Sequence, residues 1–118
     1  MKRSSVHDEI LKQDYSERFD ELRKASVVVS HYKYGSVENN FGKYGGVDAI
    51  ETIKKCLDKF RETKNVEYLV DVANYAMFRF MYPKDGEFYR PTDSSESAGI
   101  SGISQKEIER LGSDNLWA

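Results

Sequence analysis

Two apolar stripes separated by a short polar gap constrain this chain more than any other feature. Val47, Ile50, Ile53, Leu57 and Phe60 recur at three- and four-residue steps, the signature of one buried helix face. After the polar stretch Glu62-Thr63-Lys64-Asn65, a second run carries Val66, Leu69, Val70, Val72, Ala73, Ala76, Met77, Phe80 and Met81. A link this brief between two helices makes them antiparallel neighbours. A turn near residue 64 sets Leu57 opposite Val70, Ile50 opposite Met77 and Val47 opposite Phe80, so the stripes meet. Pro83 ends the second helix, because proline lacks the amide hydrogen that a further turn needs. The expectation is an antiparallel helical hairpin over 47–82. Its second helix is apolar round most of its circumference and belongs in the middle of a bundle or at an oligomer interface.

The remainder reads as further helix joined by long loops. Ser5 with Asp8 is an N-cap pattern, and Val6, Ile10, Leu11, Tyr15, Phe19, Leu22 and Ala25 follow at helical spacing, so one amphipathic helix is expected over 5–25. Val27-Val28-Val29 favours a strand by propensity but is too short to overrule a helix continuing from its neighbour. Residues 26–34 are therefore read as helix, with one short β segment as the alternative. Four glycines and the pair Asn39-Asn40 mark 35–46 as loop, and 84–103 is a long loop rich in Ser, Gly, Asp and Glu. Ser104 with Glu107 starts a short last helix over 104–111 that Gly112 ends. The fold class is mainly α, a helical bundle built on the hairpin, as a single domain over 1–118.

Charge narrows the partners. With 18 basic and 20 acidic side chains the net charge is −2, and the two signs are interspersed. General nucleic-acid binding and attraction to anionic membrane both need a positive field, so neither is expected. No apolar run approaches the roughly 20 residues that span a bilayer, and a cytoplasmic setting is expected. The lone Cys56 has no partner for an intramolecular disulfide and lies in an apolar helical stripe, where it reads as a small core residue.

Three sets of residues carry the chemistry. Glu67, Asp71, Asn74, Phe78 and Tyr82 fall at steps of four and three along one face of the second hairpin helix. Asp71 and Asn74 need partners there, since an unpaired buried polar group costs roughly 1–3 kcal/mol. They either brace the long 84–103 loop or the His31 region, or touch a ligand. Second, Asp48 with Glu51 and Glu67 with Asp71 are acidic pairs of the kind that hold magnesium on adjacent helices. Within one hairpin Glu51 and Glu67 differ by roughly 15 Å along the axis, too far for one ion. Third, rings stand beside cations and a helix start: His31, Tyr32, Lys33 and Tyr34, then Lys43-Tyr44-Gly45-Gly46, then Tyr89 and Arg90 before Thr92 and Asp93. Free amides at a helix start suit an anion, and rings beside cations suit a nucleobase with its phosphates.

The strings His31-Tyr-Lys-Tyr-Gly35, Glu67-Tyr-Leu-Val-Asp71-Val-Ala-Asn74-Tyr-Ala-Met77 and Arg90-Pro-Thr-Asp-Ser-Ser-Glu-Ser-Ala-Gly99 together resemble small phage and prophage proteins, mostly without assigned function. The resemblance spans about residues 31–108 and implies a viral accessory protein in the cytoplasm of an infected or lysogenic bacterial host. A fainter similarity links the Tyr-Gly loop and helix pair to helical nucleotide pyrophosphohydrolases of the MazG kind. That family's metal motif, Glu-x-x-Glu then Glu-x-x-Asp, is replaced here by Asp48-x-x-Glu51 and Glu67-x-x-x-Asp71.

Many phage accessory proteins counter host defence, and sequestering a nucleotide signal is one route, which needs cations and rings but no catalytic groups. The resulting expectation is a binder of a phosphorylated nucleotide-type ligand such as a cyclic nucleotide, without cofactor or metal, acting as a homo-oligomer. Arg90, Lys43 and His31 would meet phosphate, Tyr34, Phe78 or Tyr89 would stack on a base, Asp71 and Asn74 would read polar edges or brace the loops, and Lys33, Thr92 and Asp93 would complete the site. The alternatives are a magnesium-dependent nucleoside triphosphate pyrophosphohydrolase and a protein-binding inhibitor of a host defence factor.

Overall fold

The protein is described from a computed structural model that defines residues 3–102 and 106. It is mainly helical, with five α-helices and no strand among the described residues. The chain divides into two compact units, Met1–Gly86 and Glu87–Ala118. All five helices lie in the first: α1 (Arg3–Asp14), α2 (Glu17–Tyr34), α3 (Val37–Phe41), α4 (Ala49–Thr63) and α5 (Glu67–Met81). The second unit contributes one 3-10 turn, Ser94–Glu96, within the stretch read from sequence as a long loop. Of the helix expected over 104–111 only Lys106 is described, and it is helical; the rest lies outside the described residues.

Two local departures from the sequence reading have identifiable causes. The expected helix over 5–25 is broken at Tyr15 and Ser16. Ser16 takes an extended conformation and its hydroxyl accepts from the Phe19 amide at 3.0 Å, a side-chain cap that starts α2 afresh. Glu17 and Asp20 in the new first turn complement the exposed amides. Residues 26–34 are helical, so the alternative β segment does not form. The glycine-rich stretch 35–46 is not all loop: Ser36 caps the Asn39 amide at 3.1 Å and opens the five-residue α3. Gly45 then brings the chain against α3 so closely that a Cβ there would stand 2.3 Å from the Asn40 carbonyl carbon and oxygen. Val47 donates to that same oxygen at 3.1 Å.

The helix pair read from 47–82 is present as α4 and α5, which make the most extensive helix contact in the protein. Asp48 caps α4 by accepting from the Glu51 amide at 3.0 Å. The link is three residues, with Lys64 in the left-handed region at φ 65° and its amide bonded to the Phe60 carbonyl. Asn65 then accepts from the Glu67 amide at 3.0 Å to open α5.

Helix α5 also packs on α2 and α3. Its inner face is Val70, Asn74 and Phe78, at four-residue steps, all buried. Phe41 from α3 meets Phe78 with ring centroids 4.9 Å apart, Tyr75 stands edge-on to Phe78, and Ala49 closes the cluster. Within one chain α5 is not enclosed on every side: Phe80 near its end is 70% exposed, and the N-cap Val66 and Met81 are exposed too.

Candidate ligand pocket

A pocket of about 370 Å³ opens between α2, α3 and α5. From α2 it takes Ser26, Ser30, His31 and Tyr34, from α3 Val37, Asn40 and Phe41, and from α5 Asp71, Asn74, Tyr75 and Phe78. Spacing explains the grouping, since Ser26, Ser30 and Tyr34 fall at four-residue steps on one α2 face, as do Asp71 and Tyr75 on α5. The α2–α3 corner is held by Asn40, whose side-chain amide donates to the Tyr34 carbonyl at 2.9 Å.

Asn74 is the most constrained polar group in the wall. It is only 4% exposed, and its Nδ2 donates to the Arg23 carbonyl in α2 at 3.1 Å. Its Oδ1 is buried with no hydrogen-bond partner. A backbone carbonyl can only accept, so the amide cannot be turned round without losing the one bond it makes. Arg23 itself ties α2 to α5 from the other side, reaching Met77 Sδ at 3.7 Å and Asp20 at 3.0 Å, while the Tyr15 hydroxyl donates to the same Asp20 carboxylate. The Tyr15 and Arg23 hydrogen bonds hold Asp20 below the usual carboxylate range.

Asp71, half-buried three residues before Asn74, makes no hydrogen bond or ion pair among the described residues. Burial, and secondarily the charge of Glu67, push its carboxyl above its ordinary value. Burial also raises the Cys56 thiol, with Asp71 adding to it. A thiol held protonated in this way is a poor nucleophile, in keeping with a packing role. The Tyr75 hydroxyl is raised mainly by burial.

Of the residues singled out from sequence, the pocket brings together His31, Tyr34, Asp71, Asn74 and Phe78. Lys33 and Lys43 do not line it; both are exposed, and Lys43 Nζ sits 5.6 Å from the centre of the Tyr44 ring. The lining contains neither lysine nor arginine. Tyr89, Arg90, Thr92 and Asp93 belong to the second unit. There Arg90 is ion-paired with Glu96 at 2.6 Å, Tyr89 and Thr92 are exposed, and Asp93 caps the 3-10 turn by accepting from the Ser95 and Glu96 amides. A hydrogen bond from the Ser95 hydroxyl to the Asp93 carboxylate, with these amide bonds adding to it, lowers the Asp93 carboxyl.

Ser26, Ser30, Asn40 and Tyr75 escaped the sequence reading. The recurrence of Ser26, Ser30 and Tyr34 is the signal that was available, small polar groups on one face of a helix that had to pack.

The helix start flagged as an anion site forms a smaller recess of about 260 Å³, lined by Gly45, Gly46, Val47, Asp48, Arg79 and Lys84. Val47 lines both cavities. The members of the first acidic pair are engaged separately: Asp48 is the α4 cap, and Glu51 pairs with Lys54 at 3.2 Å. No three His, Cys, Asp or Glu side chains gather into a metal-holding group among the described residues, and none of the described helices is long and apolar enough to cross a membrane. In comparisons with known proteins, no family model, no curated protein and no solved structure matches this chain.

Proposed function

We propose that this protein binds and sequesters a nucleotide-type small molecule, with the base inserted between α2, α3 and α5. The observation that carries the reading is the buried Asn74 Oδ1, left without a partner on a residue that lines the same cavity as the Tyr34, Phe41, Tyr75 and Phe78 rings. An unpaired buried acceptor is costly, and a bound donor would remove that cost. The Tyr34, Tyr75 and Phe78 rings provide flat surfaces for a heterocycle, and a cavity of this size lies within the range of small-molecule sites. The pocket lining offers a phosphate no lysine or arginine; the recess that shares Val47 with it has Arg79 and Lys84 in its wall. Together with the phage-like strings, this favours an anti-defence accessory protein that holds a nucleotide signal.

Calorimetric titration with cyclic and linear nucleotides tests the proposal. Saturable binding at micromolar concentration is expected, with the ligand recovered chemically unchanged after heat release. Absence of heat with every nucleotide would remove the reading, and recovery of a cleaved product would replace sequestration with catalysis.

A further inference from the structure

We infer that the pocket prefers a base presenting two adjacent N–H donors, the edge of guanine, over adenine, cytosine or uracil; this rests on the nucleotide reading above. Asn74 Nδ2 is committed to the Arg23 carbonyl, so the group that Asn74 leaves unused is an acceptor. Asp71 precedes it by three residues on α5, which places the two side chains side by side on one helix face. An ionised carboxylate accepts only, so these two residues, which both line one cavity, would offer a ligand there a pair of acceptors.

Guanine carries N1–H and the N2 amine next to each other on its pairing edge. Adenine and cytosine place a ring acceptor beside their amine, and that acceptor would face Asp71 or Asn74 lone pair to lone pair. Uracil has one N–H between two carbonyls. The third group on the guanine edge is a carbonyl oxygen, and the Ser26 and Ser30 hydroxyls, which line the cavity from α2, are donors for it. Tyr34 and Phe78 supply the stacking surface, which does not discriminate among bases. Selectivity therefore comes from the acceptor pair, because a site built to receive donors rejects analogues that lack them.

Titration of the full chain with the 5′-monophosphates of guanosine, inosine, adenosine and cytidine, repeated on Asp71→Asn, tests this. Inosine keeps N1–H but lacks the N2 amine. Guanosine monophosphate is expected to bind at least tenfold more tightly than the adenosine and cytidine compounds, with inosine monophosphate between. Asp71→Asn retains one acceptor oxygen and close to the same volume. It is expected to lose about tenfold for guanosine monophosphate and little for adenosine monophosphate, with its melting curve confirming that it is folded. Equal affinity for all four compounds, or a guanine preference that survives in Asp71→Asn, would overturn the acceptor-pair assignment while leaving nucleotide binding in place. Binding of none of the four here, nor of any nucleotide in the wider panel, would overturn both.

Discussion

At the residue scale Asn74 serves two ends with one side chain. Its amide nitrogen joins α5 to α2, and its oxygen is left over. Asn74→Asp reverses the first role, because a carboxylate would face the Arg23 carbonyl with no donor between them. Unfolding free energy should fall by about 3 kcal/mol, as for an uncompensated buried charge, measured by urea denaturation. Asn74→Leu removes both the donor and the orphan acceptor on a somewhat larger side chain branched at the same carbon, while the Arg23 carbonyl keeps its place in the α2 ladder. Stability should then stay within about 1 kcal/mol of the parent while nucleotide binding is lost. A large loss of stability in Asn74→Leu would instead make the bond to α2 the dominant role.

Asp71 gives a prediction with a pH signature. Its carboxyl lies above the ordinary value chiefly through burial, so the folded chain takes up a proton more readily there than the unfolded chain does. The cost of burying the charge is fully present above the raised value. It is relieved as pH falls through that value towards the ordinary carboxylate range. Asp71→Asn, which carries no charge, should therefore melt higher than the parent at pH 7, with the gap closing as pH approaches about 4. A gap independent of pH would show that the charge is not its source.

At the scale of single elements, termini are decided by one or two side chains. Ser16 and Ser36 each capture an amide three residues on, and each starts a helix that apolar periodicity did not mark. The break at Tyr15 was invisible because the step from Leu11 through Tyr15 to Phe19 stays at four residues across it, so the stripe looks continuous. The α4 and α5 limits, by contrast, were legible to within two residues, since Asp48 and Pro83 bound runs whose period is unambiguous. Lys64 is the costly position, a side chain held at φ 65° to end α4. Glycine avoids the Cβ clash of the left-handed region, so Lys64→Gly should stabilise by about 1 kcal/mol in thermal or chemical denaturation. No gain would mean that the Lys64 side chain makes a compensating contact in the link.

At the scale of the whole molecule, the inner face of α5 was written in its stripe, but its neighbours were not. Asp71, Asn74 and Phe78 share a face by arithmetic alone. That α2, and not the 84–103 loop, supplies the partner of Asn74 depends on helix packing, which no local spacing encodes. The same packing leaves apolar surface uncovered. On α2, Leu22, Ala25, Val29 and Tyr32 follow three- and four-residue steps on exposed positions, with Val28 beside them. A stripe of this length on the surface marks an interaction face, and a second copy of the chain can cover it symmetrically. Self-association is therefore expected, through α2 and not chiefly through α5. Sedimentation at micromolar concentration should give a dimer or larger species, and Val28→Glu with Val29→Glu should return it to a monomer with an unchanged circular dichroism spectrum, because charge on that face opposes pairing without touching the core. A parent chain that sediments as a monomer would refute self-association, and a double variant that still associates would move the interface away from α2.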